Sequence, residues 1–305
     1  MKPPAASPPL AAQAGSRFQI PAGHWKSLLD CLAQQFTGIP REVWQARLDA
    51  GRVLDSTGRP LAADSAVRAG QNIQYFREVE NETPIPFEAH VLYADEHLVV
   101  ADKPHFLPVA PTGRFVLQSL LTRLVQTLGN PNLVPLHRID RGTAGLVLFS
   151  AKADTRSRYQ ALFREQKIKK HYQALAPALP GMQFPLLRKT RLEAGEPFFR
   201  MQEVNGAANT ETSIAVLDAT GPLWRYGLTP VTGKKHQLRV HMAGLGAPIH
   251  NDDFYPLPLT LADDDFSRPL QLLAQQLAFV DPISGREHCF ESRRCLLPLV
   301  PAPSV

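Results

Sequence analysis

The chain has 305 residues, 44% of them hydrophobic and 20% charged. That length suits one large domain or two of about 100–200 residues each, and the composition rules out a wholly disordered chain. The 33 basic and 28 acidic residues leave +5, a mild excess that alone is weak evidence for a polyanionic partner.

No run approaches the roughly 18 consecutive apolar residues of a membrane span, so no membrane partner is expected. The first residues lack an apolar stretch of leader type, and export is not expected. Cys31, Cys289 and Cys295 are scattered and form no CxxC pair. They suit a reducing cytoplasm and neither a disulfide framework nor a zinc site.

Residues 1–22, rich in Pro, Ala and Ser, are expected to be a flexible tail. A small α/β module is expected over 23–80. In it, Ser27 to Phe36 and Arg41 to Ala50 read as helices, with Pro40 as a start signal for the second. Asn72 to Phe76 reads as a strand after a turn at Ser56-Thr57-Gly58. Glu78 to Pro86 is charged and proline-bearing, which sets a linker at 81–86.

Residues 87–305 then mix strands and helices without regular βαβ alternation. His90 to Tyr93 and His97 to Ala101 read as strands. Phe115 to Leu128 carries apolar residues at three- and four-residue steps and is closed by Gly129, a helix signature. Leu146 to Phe149 predicts a buried strand, Ala153 to Glu165 a basic helix, and Ile168 to Leu175 an alternating strand. Further strands are expected at Thr212 to Leu217 and Trp224 to Leu228. A helical turn over His236 to Met242 and a hairpin around Ser284-Gly285 complete the pattern. The fold class is α+β, with a mixed, largely antiparallel sheet flanked by helices.

Charge is uneven along this domain. From Lys152 to Lys170 there are seven basic residues and two acidic ones. A solvated helix face and a phosphate-contacting surface are both consistent with that run.

The most informative stretch is Leu136-His137-Arg138-Ile139-Asp140-Arg141-Gly142-Thr143-Ala144-Gly145-Leu146. Two arginines bracket one aspartate, and two glycines lead into a buried strand. A carboxylate beside arginine stays ionised, since an opposite charge nearby lowers its pKa by about 1–3 units. On these residues alone, a loop-fixing salt bridge and a catalytic carboxylate both remain open.

His137-Arg138-Ile139-Asp140-Arg141-Gly142-Thr143-Ala144-Gly145-Leu146 resembles the His-Arg-Leu-Asp-x-x-Thr-Ser-Gly-Leu signature of the RluA-like pseudouridine synthases. Three other segments keep step with that family in order. Tyr93 to Val100 and Asp102-Lys103-Pro104 look like its opening strands. Lys170-His171-Tyr172-Gln173-Ala174 is similar to its Lys-x-Tyr-x-Ala strand. Gly233 to His241 resembles its Gly-Arg-x-His-Gln-Ile-Arg-Val-His segment, and Gly246 to Ile249 follows. Four ordered motifs over about 90–285 make a specific match. Ile139, Ala144 and Lys235 depart from the pattern, and His250-Asn251-Asp252 stands where Gly-Asp is usual. The module at 23–80 is loosely similar to the small RNA-binding module many such enzymes carry. Nine basic and eight acidic residues over 1–84 give it only +1.

The resemblance implies an isomerase that converts uridine in RNA to its carbon-linked isomer. It implies no redox cofactor, because nothing is oxidised or reduced, and no metal either. Asp140 is then the catalytic carboxylate, as nucleophile or as base, and Arg239 its ion-pair partner. Tyr172 supplies a ring to stack on uracil and a hydroxyl near the sugar. Arg138 would fill the space vacated by an extruded base, since a guanidinium both stacks and hydrogen-bonds. Arg141, Lys167, Lys169, Lys170, Lys234, Lys235 and His236 are expected to contact RNA. His137 is expected to support the loop, and Asp263-Asp264-Asp265 to be a solvated run.

The expected partner is structured ribosomal or transfer RNA, met by a monomer in the cytoplasm. Two alternatives carry different expectations. An inactive RNA-binding assembly factor of the same fold would not require Asp140, Tyr172 and Arg239 together. A glycoside hydrolase would need a second carboxylate about 5–9.5 Å from the first.

Overall fold

The computed structural model describes residues 15–77, 82–113, 115–259, 262 and 264–297. They fall into two compact units. One lies within Met1–Glu82 and Ala110–Pro131, the other within Thr83–Val109 and Asn132–Val305.

In the first unit, β1 (Ser16–Gln19), β2 (Val53–Asp55) and β3 (Asn72–Tyr75) form a small antiparallel sheet in the order β1-β3-β2. Helix α1 (Leu28–Gln35) is capped by the Ser27 hydroxyl, which accepts from Asp30 N–H and satisfies one of the first-turn donors. Helix α2 (Arg41–Asp49) starts directly after Pro40. Both helices pack Leu28, Leu32, Trp44 and Leu48 against Val53 and Ile73 of the sheet. The expected tail differs at its end: Ser16–Gln19 pair with β3, and Ile20 is buried. Alternation of Phe18 and Ile20 with polar neighbours gives one apolar edge, a period-two signal inside a Pro/Ala/Ser-rich stretch. The rest of the tail, 1–14, and residues 78–81 of the linker region lie outside the described residues.

Helix α3 (Leu120–Leu128) belongs to the same unit and begins five residues later than its apolar spacing predicts. The cause is local. The Glu82 carboxylate accepts the N–H groups of Val116, Leu117 and Gln118, and Ser119 then caps the helix through Thr122 N–H. Gly129 ends it in the left-handed conformation, φ 62°, as the sequence indicates.

The second unit is built on one sheet of eleven strands among the described residues. They are β4 (His90–Ala94), β5 (Leu98–Lys103), β6 (Val134–Pro135), β7 (Ala144–Ser150), β8 (Lys169–Pro177), β9 (Leu186–Ala194), β10 (Met201–Val204), β11 (Thr210–Asp218), β12 (Leu223–Pro230), β13 (Leu272–Val280) and β14 (Glu287–Glu291). The order is β10-β9-β11-β12-β8-β13-β7-β5-β4, with β14 on β13 and β6 on β7. Strands β13 and β7 run parallel, while the other pairings among the described residues are antiparallel. The α+β, largely antiparallel expectation is met. Strands β9 and β10 carry little apolar alternation and were not legible in the sequence.

Helix α4 (Arg156–Arg164) lays Tyr159 and Leu162 on Leu98, Val100, Leu146 and Leu148. Helix α5 (Gln237–Gly244) lays Leu238 and Met242 on Ala174, Tyr226, Leu228 and Leu272. Strands β5 and β7 are buried along their whole length, which explains their near-continuous apolar runs. No helix among the described residues is long and apolar enough to cross a membrane.

Register positions the chemistry. Ala274 of β13 lies opposite Gly145 of β7 on one side and Tyr172 of β8 on the other. Gly145 has φ 108°, and a Cβ there would sit 2.3 Å from the Ala274 carbonyl oxygen. Only glycine allows that approach, so the loop from His137 to Thr143 enters the sheet one strand away from Tyr172.

Candidate active site

The Arg138–Thr143 loop is held from several sides before any substrate is considered. The Lys103 ammonium, buried at the end of β5, donates to the carbonyls of Pro104, Leu107 and Arg141 at 2.9, 2.7 and 3.1 Å. Burial pushes its pKa well down, and the Asp140 charge opposes that shift. His105 Nδ1 donates to the Gly142 carbonyl at 2.7 Å. Arg141 Nε donates to the Phe106 carbonyl at 2.9 Å, so this arginine braces the loop. His137 Nε2 accepts from Leu148 N–H at 3.1 Å, and its ring stacks on Phe163. It supports the loop, as expected.

Asp140 emerges from this frame into a cavity of about 90 Å³ that also meets Arg138, Lys170, Tyr172, His236 and Arg239. Its Oδ2 lies 3.4 Å from Arg239 Nη1, and its Oδ1 lies 4.0 Å from His236 Nε2. Tyr172 comes from the middle of β8. Burial, and then the Asp140 charge, push its hydroxyl above the ordinary tyrosine value. The phenol stays protonated at neutral pH, on the same cavity as the carboxylate.

Arg239 has shorter bonds elsewhere. Its Nε and Nη2 grip both oxygens of Asp252 at 2.8 and 2.6 Å, and Nη2 also reaches Asp253 at 2.7 Å. The arginine side chain is 3% exposed and that of Asp252 fully buried. Burial disfavours the guanidinium charge, but the hydrogen bonds and charge of Asp252, with those of Asp140 and Asp253, raise the Arg239 pKa overall. Asp252 Oδ1 further accepts Phe254 and Tyr255 N–H. Arg239 is thus fixed by a two-point carboxylate clamp, with the Phe254 ring 4.8 Å from its Cζ, and offers its remaining nitrogen to Asp140. The expected Arg239–Asp140 pair is present, but it is the weakest of three. The sequence shows Asp252 only as part of the departure at His250-Asn251-Asp252. A buried arginine's need for a two-point acceptor is the signal that finds it. Asp253, Phe254 and Tyr255 gave no signal in the sequence.

His236, expected to contact RNA, lines the cavity and is not on the open surface. It precedes α5 with φ 55° and is 7% exposed. Nδ1 meets the Tyr255 hydroxyl at 2.9 Å, leaving Nε2 toward Asp140. Among the lysines, Lys170 donates to the Thr232 carbonyl at 3.1 Å, and burial lowers its pKa. Lys167 pairs with Glu165 at 2.8 Å. Lys169, Lys234, Lys235 and Arg138 are exposed, and Lys234 and Arg138 border the cavity. Of the acidic run, Asp263 lies outside the described residues, and Asp265 accepts from Ser267.

Residues 97–244 match the family model described as RNA pseudouridylate synthase. A dual-specificity RNA pseudouridine synthase RluA from Pasteurella multocida is 33% identical over 208 residues, 64% of this chain and 88% of the relative. The chain belongs to the RluA-like family of RNA pseudouridine synthases. The Haemophilus influenzae protein of the same name is 30% identical over 221 residues, covering 70% of this chain and 97% of its own. Among solved structures, human RNA pseudouridylate synthase domain containing 4 superposes with TM-score 0.53 at 28% identity. It covers 68% of this chain and 88% of its own.

The synthase is an isomerase that turns uridine in RNA into pseudouridine. Nothing in the comparisons favours an inactive protein of this fold. The matched region includes the Asp140 loop, Tyr172 of β8 and Arg239 of α5, while Asp252 and Asp253 lie beyond it.

Burial around the site predicts a pH dependence of stability. Burial pushes His105, His236 and His241 down to about 4, and His137 to about 3, from 6.5. The unfolded chain accepts these protons near pH 6.5 and the folded chain resists them. Their contribution is therefore complete above about pH 6.5 and is lost as pH falls toward 4. Each costs on the order of 1–2 kcal/mol at pH 5. Melting temperature should be level from pH 7 to 8 and fall steeply between 6.5 and 5. A level profile down to pH 5 would contradict it.

Proposed function

We propose that this synthase isomerises specific uridines in structured ribosomal or transfer RNA, with Asp140 as the attacking or proton-removing carboxylate. The observation that carries this reading is the convergence of Asp140, Arg239 and protonated Tyr172 on one small cavity. The target uridine leaves its stack, at a cost of a few kcal/mol. Its C1′–N1 bond breaks, the uracil turns, and C5 bonds to C1′. The proton displaced from C5 balances the one gained at N1, so the product is an isomer of the substrate. Tyr172 carries the uracil on its ring and lends its hydroxyl to the sugar side. Arg239 meets the Asp140 carboxylate at 3.4 Å and holds it in place at the mouth of the cavity.

Exposed Arg138 is suited to the space the uridine vacates, and Lys169, Lys234 and Lys235 to backbone phosphates. The module at 23–80 is an additional RNA contact of this reading, and 87–305 its catalytic domain. The enzyme acts as a monomer in the cytoplasm, where its free cysteines stay reduced. Mapping pseudouridines across the RNA of a deletion strain, with and without Asp140→Asn complementation, tests the assignment. A site lost on deletion and restored only by the wild-type chain supports it. Restoration by Asp140→Asn refutes Asp140, and an unchanged map refutes the RNA class.

The basic surface has its own expected result. Replacing Lys167 and Lys169 by Ala should flatten the slope of log affinity against log salt by about 1.5–2 units. Lys170 is omitted because it is committed to the Thr232 carbonyl. An unchanged slope would make these lysines solubilising groups.

A further inference from the structure

An aromatic file leads from Phe198 on the surface to the guanidinium beside Asp140. Phe198, in the turn between β9 and β10, is 84% exposed. Its ring meets Phe199 edge-on at 5.6 Å, and Phe199 meets Phe254 at 5.2 Å. Phe254 in turn lies 5.4 Å from the His236 ring and 4.8 Å from Arg239 Cζ.

The turn is firmly built. Arg200 N–H donates to the Pro197 carbonyl, and Gly195 N–H to the Arg200 carbonyl. Arg200 Nη2 reaches the Pro256 carbonyl at 2.7 Å, while its guanidinium lies over the Tyr255 ring. Met201 N–H donates to the Tyr255 hydroxyl. Two segments are thereby fastened together, and each carries a large apolar side chain into water: Phe198 on one, and Leu257, 71% exposed, on the other. At 84% exposure Phe198 is the most exposed of the chain's large apolar side chains among the described residues, and the frame holds its ring face open to solvent.

We infer that Phe198 is a stacking platform for a base adjacent in sequence to the target uridine. Extrusion of one nucleotide leaves its neighbours without a stacking face. An exposed ring a few side chains away from the pocket supplies one, irrespective of which base it is. The file ends against Arg239 and His236, which border the cavity that takes the uridine. Three steps of 5.6, 5.2 and 4.8 Å link Phe198 to Arg239, a span that neighbouring nucleotides of one strand can bridge. This inference rests on the assignment of that cavity to an RNA uridine.

The test uses the full chain and RNA extracted from cells lacking it. Short-wavelength irradiation followed by trypsin should leave a nucleotide adduct on the peptide 192–200. Phe198→Ala should remove the adduct and raise the RNA concentration for half-maximal rate about tenfold. The rate at saturating RNA should change less than about threefold, and Phe198→Trp should restore both. Melting temperature checks that the fold is kept. An adduct that survives Phe198→Ala, or an unchanged half-saturating concentration, overturns the platform. If the wild-type chain makes no pseudouridine in this RNA, the cavity assignment itself has failed, which separates the two outcomes.

Discussion

Asp140→Asn is expected to lower pseudouridine formation by more than about 100-fold while RNA affinity stays within about tenfold. Asparagine keeps the shape of the side chain and its place opposite Arg239 Nη1, but it can neither attack the sugar nor remove a proton as a carboxylate. The loop that carries it is independently held by Lys103, His105 and Arg141, so loss of the charge should leave the loop in place. Product formation on RNA from the deletion strain and binding to the same RNA are measured separately. Residual turnover above about a hundredth of wild type would remove Asp140 from the chemistry. A parallel fall in affinity would make it a binding group.

The legible part of this molecule was local. Leu136 to Leu146 and Gly233 to His241 each fold as one loop-and-element unit, so their residues carry order, spacing and chemistry together. The helices were legible where an apolar stripe and a cap coincide, as at Ser27 and Pro40. What the sequence concealed depends on contacts across long separations. Glu82 takes the backbone donors of Val116 to Gln118, 34 to 36 residues on, and so shortens α3. Strands β9 and β10 hold register through the Arg188–Glu203 pair and through Asn209, which bonds both backbone groups of Leu192. These polar contacts leave no periodic trace. The carboxylates that fix Arg239 lie 13 and 14 residues beyond it, on a loop whose own backbone N–H groups order Asp252. Sequence motifs named Asp140 and Arg239, and the structure supplied the carboxylates that hold the arginine.

That clamp sets the second large effect. Arg239→Lys is expected to reduce the single-turnover rate about 100-fold or more with little change in RNA affinity. Lysine keeps one positive charge but loses the planar fork that grips both Asp252 oxygens. A single ammonium drawn into Asp252 and Asp253 no longer reaches Asp140, which Arg239 meets at 3.4 Å, and misplacement of a reacting group by about 1 Å can cost 10²-fold. Arg239→Met is a poorer probe, because leaving Asp252 buried and unpaired costs about 3–5 kcal/mol of stability. If Arg239 acts through Asp140, then Asp140→Asn and Arg239→Lys will be strongly non-additive, since the second change has little left to remove. Rates that multiply in the double variant would give Arg239 a role of its own at the substrate. A fall in affinity equal to the fall in rate would instead make it an RNA contact.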